Sequence, residues 1–195
     1  IAAPCVITKR HLERGPLRAI VANSGNANAC TGEQGERDAL AMAEAAARTL
    51  GVKRHEVAVA STGVIGVPLP AERIGAALAE LKLTVEGWDD AAHAILTTDT
   101  RPKVAEVEVG LGDGAARIGG IAKGAGMIHP DLATLLAFIT TDAVIDERTL
   151  SAALRAAVEE TFNAISVDGD TSTNDTVLTL ANGASRVAVD TAGAR

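Results

Sequence analysis

Apolar positions recur along the chain with two different spacings, which predicts a fold that mixes helices with strands. Residues 36–50 carry an apolar residue every three or four positions, the spacing of one buried helix face, and Gly51 then ends the helix. Asp146 is placed to cap the N-terminus of a later helix. The predicted helices cover residues 36–50, 70–82, 89–97 and 147–165.

Strand patterns fill the intervals between these helices. Short runs rich in Val, Ile, Leu and Thr predict strands over residues 18–24, 56–61, 104–110, 115–121, 134–141 and 176–181. Gly112-Asp113-Gly114 separates the third run from the fourth, and these residue types tolerate positive φ. These two strands are therefore expected to form a hairpin.

The composition is that of a globular domain with an aliphatic core. The chain has 195 residues, of which 47% are hydrophobic and 22% charged, and this suits one substantial folded unit. Aromatic residues make up only 2%, so stacking platforms for bases are lacking. The net charge of −7 disfavours polyanions and anionic membrane surfaces. Nucleic acid and membranes are therefore not expected as partners.

The sequence favours a cytoplasmic location. It contains no run of 18 apolar residues, and its first residues lack the basic and apolar regions of a secretory signal. The two cysteines, Cys5 and Cys30, form neither a disulfide framework nor a metal-binding spacing.

Motifs for metal and nucleotide chemistry are lacking in the sequence. The four histidines are scattered, and no HExxH or paired Cys/His spacing occurs, so no metal site is expected. The glycines of residues 110–115 loosely match a dinucleotide fingerprint, but strand character follows where a helix should begin. A hairpin turn explains these glycines better.

Four short segments are rich in hydroxyl and small residues. Taken singly, such segments usually cap strand ends, because Ser, Thr, Asn and Asp bond the local backbone. Converging hydroxyls and backbone N–H groups beside glycines are also what an oxyanion site requires. The segments are residues 23–28, 61–66, 97–100 and 168–175.

Five stretches in order along nearly the whole chain resemble the ornithine acetyltransferase family, also called the bifunctional glutamate N-acetyltransferases. They are NSGNANACTG (23–32), STGVIG (61–66), TTDTRPK (97–103), KGAGMIHPDLATLLAFITTDA (123–143) and SVDGDTSTNDTVLTLANG (166–183). The resemblance implies a layered α/β/β/α sandwich, an α+β fold of the type shared with aminopeptidases that cleave themselves to expose an N-terminal nucleophile.

The resemblance also implies a precursor that cuts itself at an Ala-Thr bond, here Ala133-Thr134. Residues 1–133 are then expected to form a first chain and residues 134–195 the truncated start of a second chain, merged in one globular unit. Freed by the cut, Thr134 gains an α-amino group, with a reference pKa of about 7.7 to 8.0, that can take its own hydroxyl proton. Without the family match, a β-branched residue at the start of a buried strand is the simpler interpretation of Thr134.

Further residues match functional positions of the family. The resemblance implies that the Thr62 side chain and the Gly63 N–H form the oxyanion hole. It also implies that Thr100 and Lys123 contact the substrate, as Thr134 does. A glycine after a strand end can turn its N–H towards a ligand without interference from a Cβ. Lys123 would pair with a substrate carboxylate, although the local sequence equally fits an exposed lysine before a glycine turn.

The implied reaction is ping-pong acetyl transfer from N2-acetylornithine to glutamate, in arginine biosynthesis, without a metal or organic cofactor. Some family members also accept acetyl-CoA as the donor. The cleaved halves are expected to stay together, with two copies of each in the assembly. Two alternatives stay open: a related self-cleaving amidase or aminopeptidase, in which water resolves the acyl-enzyme, and a non-catalytic uncut or truncated fragment that binds a partner.

Overall fold

The computed structural model describes residues 1–112, 114–129 and 135–189. Within these ranges the chain forms five α-helices and six β-strands. The helices are α1 Ala3–Leu12, α2 Gly32–Leu50, α3 Ala71–Glu80, α4 Trp88–Ala94 and α5 Glu147–Glu160. The strands are β1 Ala19–Asn26, β2 Val57–Val64, β3 Lys103–Leu111, β4 Gly114–Lys123, β5 Leu136–Thr141 and β6 Thr176–Ala181. Each of these helices is too short or too polar to cross a membrane.

The strands form two sheets. β1 and β2 pair in parallel, with Ser24 opposite Thr62. The second sheet has the order β3-β4-β5-β6, antiparallel from β3 to β5 and parallel between β5 and β6. A parallel pair needs a crossover connection, and α5 provides it between β5 and β6.

The two faces of the first sheet pack against different layers. Successive side chains of a strand point to opposite faces. Val57 and Val59 therefore face the helices and pack with Met42 of α2, whereas Ala58 and Ala60 face the second sheet. From that sheet the same cluster contains Ile121, Leu136, Phe138 and Leu178. A helix layer, the first sheet and the second sheet thus follow one another, and α5 connects β5 to β6 of the second sheet. This is the layered α+β architecture that the resemblance implies.

Most of the predicted elements are confirmed, with shifted ends. Gly51 ends α2 in the left-handed conformation, with φ of 65°. Asp146 caps α5 by accepting the Thr149 N–H at 3.0 Å. The predicted end of α5 at residue 165 is wrong, because the helix stops at Glu160 and Thr161 leaves the helical conformation, with φ of −122° and ψ of −82°. The predicted hairpin of β3 and β4 forms, with Leu111 opposite Gly114.

Helix α1 is an element that the apolar pattern does not predict. It covers the edge of β2 that β1 leaves open, and it does so with polar side chains. The Thr8 hydroxyl donates to the Val59 carbonyl and accepts the Val59 N–H, both at 2.7 Å. His11 Nδ1 lies 2.8 Å from the Val57 carbonyl, and burial lowers the pKa of His11, which favours the neutral ring. Apolar spacing cannot reveal a helix that is anchored by hydrogen bonds to a distant strand.

Candidate active site

Three segments meet where β2 and β4 end. Thr62 and Gly63 lie near the C-terminal end of β2, and Lys123 is the last residue of β4. The loop after α4 contributes Thr97 and Asp99. Thr62 is on the face of β2 that packs against the second sheet. This packing of one sheet on the other brings the segments together.

Lys123 is buried at the centre of this cluster, with only 2% of its surface exposed. Its Nζ donates to Thr62 Oγ1 at 2.8 Å and to Thr97 Oγ1 at 3.1 Å. Burial lowers the pKa of Lys123, and the negative charges of Asp99 and Asp175 oppose this effect. The interpretation of Lys123 as an exposed lysine before a turn is therefore wrong.

Asp99 is the acidic residue of the cluster, and its side chain is fully buried. Its Oδ1 accepts the Gly124 N–H at 2.8 Å and Lys103 Nζ at 2.5 Å. Burial alone would raise the pKa of Asp99, but the hydrogen bonds from Lys103 and Gly124 outweigh burial and hold it below its usual value. Its second oxygen, Oδ2, is buried without a hydrogen-bond partner among the described residues.

Gly63 lies against the backbone of β1, at Gly25 and Asn26. Its φ is 135°, and a Cβ built on it would lie 2.3 Å from the Gly25 carbonyl carbon and 2.5 Å from Asn26 N. Only glycine fits this position without moving backbone. A small cavity of about 20 Å³ opens beside it, enough for one water-sized group. The cavity is lined by Ala27, Thr62, Gly63, Ile65, Met127, Ser172 and Asn174.

Gly63→Ala is expected to lower the free energy of unfolding by about 3 kcal/mol, the upper part of the usual range for overpacking, because backbone rather than side chain opposes the new methyl group. Urea denaturation of the purified variant measures this loss. Gly66→Ala is the matched control: Gly66 has a φ of 80° but nothing within 4 Å of its built Cβ. Its expected loss is about 1 kcal/mol, from backbone strain alone, and equal losses in the two variants would contradict the close approach at Gly63.

The structure brings Thr62, Gly63 and Lys123 together. Thr100 follows Asp99 on an exposed loop, and among the described residues its side chain makes no hydrogen bond. Ala133 and Thr134 lie outside the described residues. The residues that follow them are described: Leu135 donates its N–H to Asp175 Oδ1 at 3.1 Å, and Leu136 pairs with Lys123 across β4 and β5.

Residues 168–175, one of the four segments rich in hydroxyl and small residues, hold the walls of the cavity in place. The Asp168 carboxylate accepts the N–H of Met127 at 2.6 Å and of Ile128 at 3.2 Å, and these bonds lower the pKa of Asp168. Asn174 Nδ2 donates to the Ala27 carbonyl at 2.6 Å and to the Ser61 carbonyl at 2.9 Å. The partners of Asn174 are more than 100 positions away in sequence, so no local signal could have identified these contacts.

Comparison with known proteins gives the assignment. A family model described as the ArgJ family matches residues 1–194. The chain belongs to the ArgJ family. The curated relatives include arginine biosynthesis bifunctional proteins ArgJ from Symbiobacterium thermophilum, 58% identical over 93% of this chain, and from Bacillus subtilis, 52% identical over 93%. The chain spans about half the length of these relatives, 46% of the first and 45% of the second.

Two solved structures of the family share the fold. The ArgJ protein of Bacillus halodurans matches with a TM-score of 0.64 and 44% identity, over 67% of this chain and 70% of that one. The ornithine acetyltransferase of Mycobacterium tuberculosis, solved in complex with ornithine, matches with a TM-score of 0.58 and 43% identity, over 68% and 72%. The family resemblance and the layered α+β fold expected from it are thus confirmed.

Proposed function

We propose that the complete protein is an ornithine acetyltransferase that moves the acetyl group of N2-acetylornithine to glutamate through an acetylated Thr134. The observation that carries the proposal is the bond from buried Lys123 Nζ to Thr62 Oγ1, at 2.8 Å, next to Gly63. An oxyanion site needs preorganised donors away from bulk water, and both Lys123 and Thr62 are almost fully buried. The names of the relatives, arginine biosynthesis proteins and an ornithine acetyltransferase, support the same activity.

The first chemical step is the cut at the Ala133-Thr134 bond. The Thr134 hydroxyl oxygen attacks the Ala133 carbonyl carbon, the peptide C–N bond breaks, and the acyl group moves from nitrogen to oxygen as an ester. Water then hydrolyses the ester, which leaves a carboxylate on Ala133 and a free amine on Thr134. Before the cut this nitrogen is an amide and cannot act as a base.

Acetyl transfer then proceeds in two halves. The Thr134 amine, with a reference pKa of about 7.7 to 8.0, takes the hydroxyl proton as the oxygen attacks the acetyl carbonyl. Thr62 Oγ1–H and the Gly63 N–H donate to the oxyanion, and ornithine leaves with the proton. The glutamate amine next attacks the acyl-Thr134 ester, releases N-acetylglutamate and restores the hydroxyl. This scheme uses no metal or organic cofactor.

Substrate binding is assigned to Lys123 and Thr100. An ammonium group has three N–H donors, and two of those on Lys123 are used within the described residues. The third is left for a substrate carboxylate. Thr100, on the exposed loop one residue beyond Asp99, would add a hydroxyl when the substrate is bound.

The cut is proposed to produce two chains of one globular unit, residues 1–133 and the chain that starts at residue 134. Antiparallel pairing of β4 with β5 would hold the chains together after the cut, since six residue pairs join them from Ile118–Thr141 to Lys123–Leu136. Two copies of each chain are proposed for the assembly.

Product analysis tests the proposed function. Incubated with N2-acetylornithine and glutamate, the complete natural protein should form ornithine and N-acetylglutamate in equal amounts. Without glutamate, ornithine release should stop after one equivalent per Thr134. Steady release of free acetate in the absence of glutamate would instead identify the amidase alternative. Replacing N2-acetylornithine with acetyl-CoA in the same assay tests the second donor.

A further inference from the structure

We propose that Asp99 is a positioning residue for the oxyanion hole: it keeps the Lys123 amine a pure hydrogen-bond donor, so that the Thr62 hydroxyl hydrogen stays free for the oxyanion. The inference rests on the proposed role of Thr62. It assigns a function to a buried carboxylate for which the sequence patterns suggest none.

The direction of the Thr62 hydroxyl follows from the chemistry of its partner. A hydroxyl has one hydrogen to donate and can accept through two lone pairs, whereas an ammonium only donates. The 2.8 Å contact between Lys123 Nζ and Thr62 Oγ1 therefore uses a lone pair of Thr62 as long as Lys123 is protonated. A neutral amine has a lone pair of its own and can accept the Thr62 hydrogen. The oxyanion hole would then lose its side-chain donor.

Asp99 is anchored to the backbone next to Lys123, and its ion-pair partner is Lys103. The N–H of Gly124, the residue directly after Lys123, donates to Asp99 Oδ1 at 2.8 Å. The other carboxylate oxygen is buried and has no hydrogen-bond partner within the described part of the chain. A buried charge acts strongly on its neighbours because little water screens it. Asp99 is thus placed to stabilise the positive charge on Lys123.

The charged groups around Lys123 act on it with opposite signs. Burial lowers the pKa of Lys123, Asp99 and Asp175 raise it, and Lys103, at the start of β3, lowers it further. Lys103 and Asp99 are also bonded to each other, at 2.5 Å. Removal of the Asp99 charge should therefore lower the pKa of Lys123, and removal of the Lys103 charge should raise it.

The pH dependence of kcat at saturating substrate tests the inference. Activity should fall on the alkaline side as Lys123 loses its proton. Asp99→Asn keeps an acceptor for Gly124 but removes the negative charge, so this fall should move to lower pH by about one unit, a tenfold loss of kcat at a fixed pH on that limb. Lys103→Gln should move the fall to higher pH. A purely structural role of Asp99 would not produce shifts of opposite sign.

Controls keep the test decisive. Asp146→Asn removes a carboxylate that also accepts a backbone N–H, at the exposed start of α5, and should leave the profile unchanged. Should Asp99→Asn fail to fold, Lys103→Gln carries the test, because the Lys103 side chain is 45% exposed. If the wild-type protein never becomes acetylated on Thr134, the proposed function itself is wrong. If Thr134 is acetylated normally, but kcat falls at the same alkaline pH in the wild type, Asp99→Asn and Lys103→Gln, only the role of Asp99 is wrong.

Discussion

Thr134→Ala is expected to leave the chain in one piece and to lower acetyl transfer by a factor on the order of 10⁴ or more, the scale seen when a catalytic nucleophile is removed. The alanine has no hydroxyl to attack the Ala133 carbonyl, so neither the ester nor the free amine can form. Intact mass over several days, together with the transfer rate from N2-acetylornithine to glutamate, measures both effects.

Two variants accompany this experiment. Thr134→Ser keeps a hydroxyl and should still cleave itself, although at a changed rate. Thr149→Ala removes a hydroxyl of the same type from the exposed first turn of α5, where it bonds only Asp146 among the described residues, and should change neither cleavage nor transfer. Scission of Thr134→Ala at the same bond, or transfer at the wild-type rate, would rule out Thr134 as the nucleophile.

Thr62→Ala is expected to lower kcat by about 10²- to 10³-fold, the usual cost of removing one oxyanion donor. KM should change little, because the hydroxyl acts on charge that develops only in the transition state. The variant should also unfold more easily, by about 1 to 3 kcal/mol, since Lys123 loses one of its two described acceptors inside the protein. Steady-state kinetics and thermal unfolding separate the two effects.

The neighbouring strand position offers a matched control for Thr62. Ser61 is also fully buried, but it points to the opposite face of β2, towards the helices. Its hydroxyl has no hydrogen-bond partner among the described residues, so Ser61→Ala should keep the wild-type kcat. Thr62→Ser keeps the hydroxyl and should recover most of the activity. Equal losses of kcat in Thr62→Ala and Ser61→Ala would indicate a general disturbance of β2 rather than a lost donor.

The elements that were predicted well are those whose causes lie within a few residues. The left-handed residue Gly51 stops α2, and the Asp146 carboxylate binds the N–H three positions further on. The β3–β4 hairpin likewise depends on the short turn that starts at Gly112, which has a φ of 59°. Steric limits on φ and helical hydrogen bonds act over this short distance, so the order of residues is enough to identify them.

Helix α1 and the end of α5 are two features that the apolar pattern does not predict. Thr8 has no apolar character to mark it as buried, and only the open edge of β2 gives it two partners. The apolar spacing predicts α5 to residue 165, but Thr161 leaves the helical conformation and the helix ends before it. A polar side chain that bonds the unpaired backbone groups of a strand edge cannot be recognised from the spacing of apolar residues.

The candidate site also combines residues that the sequence identified with an arrangement that only the fold produced. The residue types and their family resemblance marked Thr62, Gly63 and Lys123 as candidates. Thr62 and Lys123 are 61 positions apart in the sequence. Only the packing of the first sheet on the second brings their side chains into contact. That packing buries Lys123, which lowers its pKa, and the charges of Asp99 and Asp175 oppose this effect. Solvent exclusion and charge proximity are properties of assembled layers, and no stretch of sequence carries them alone.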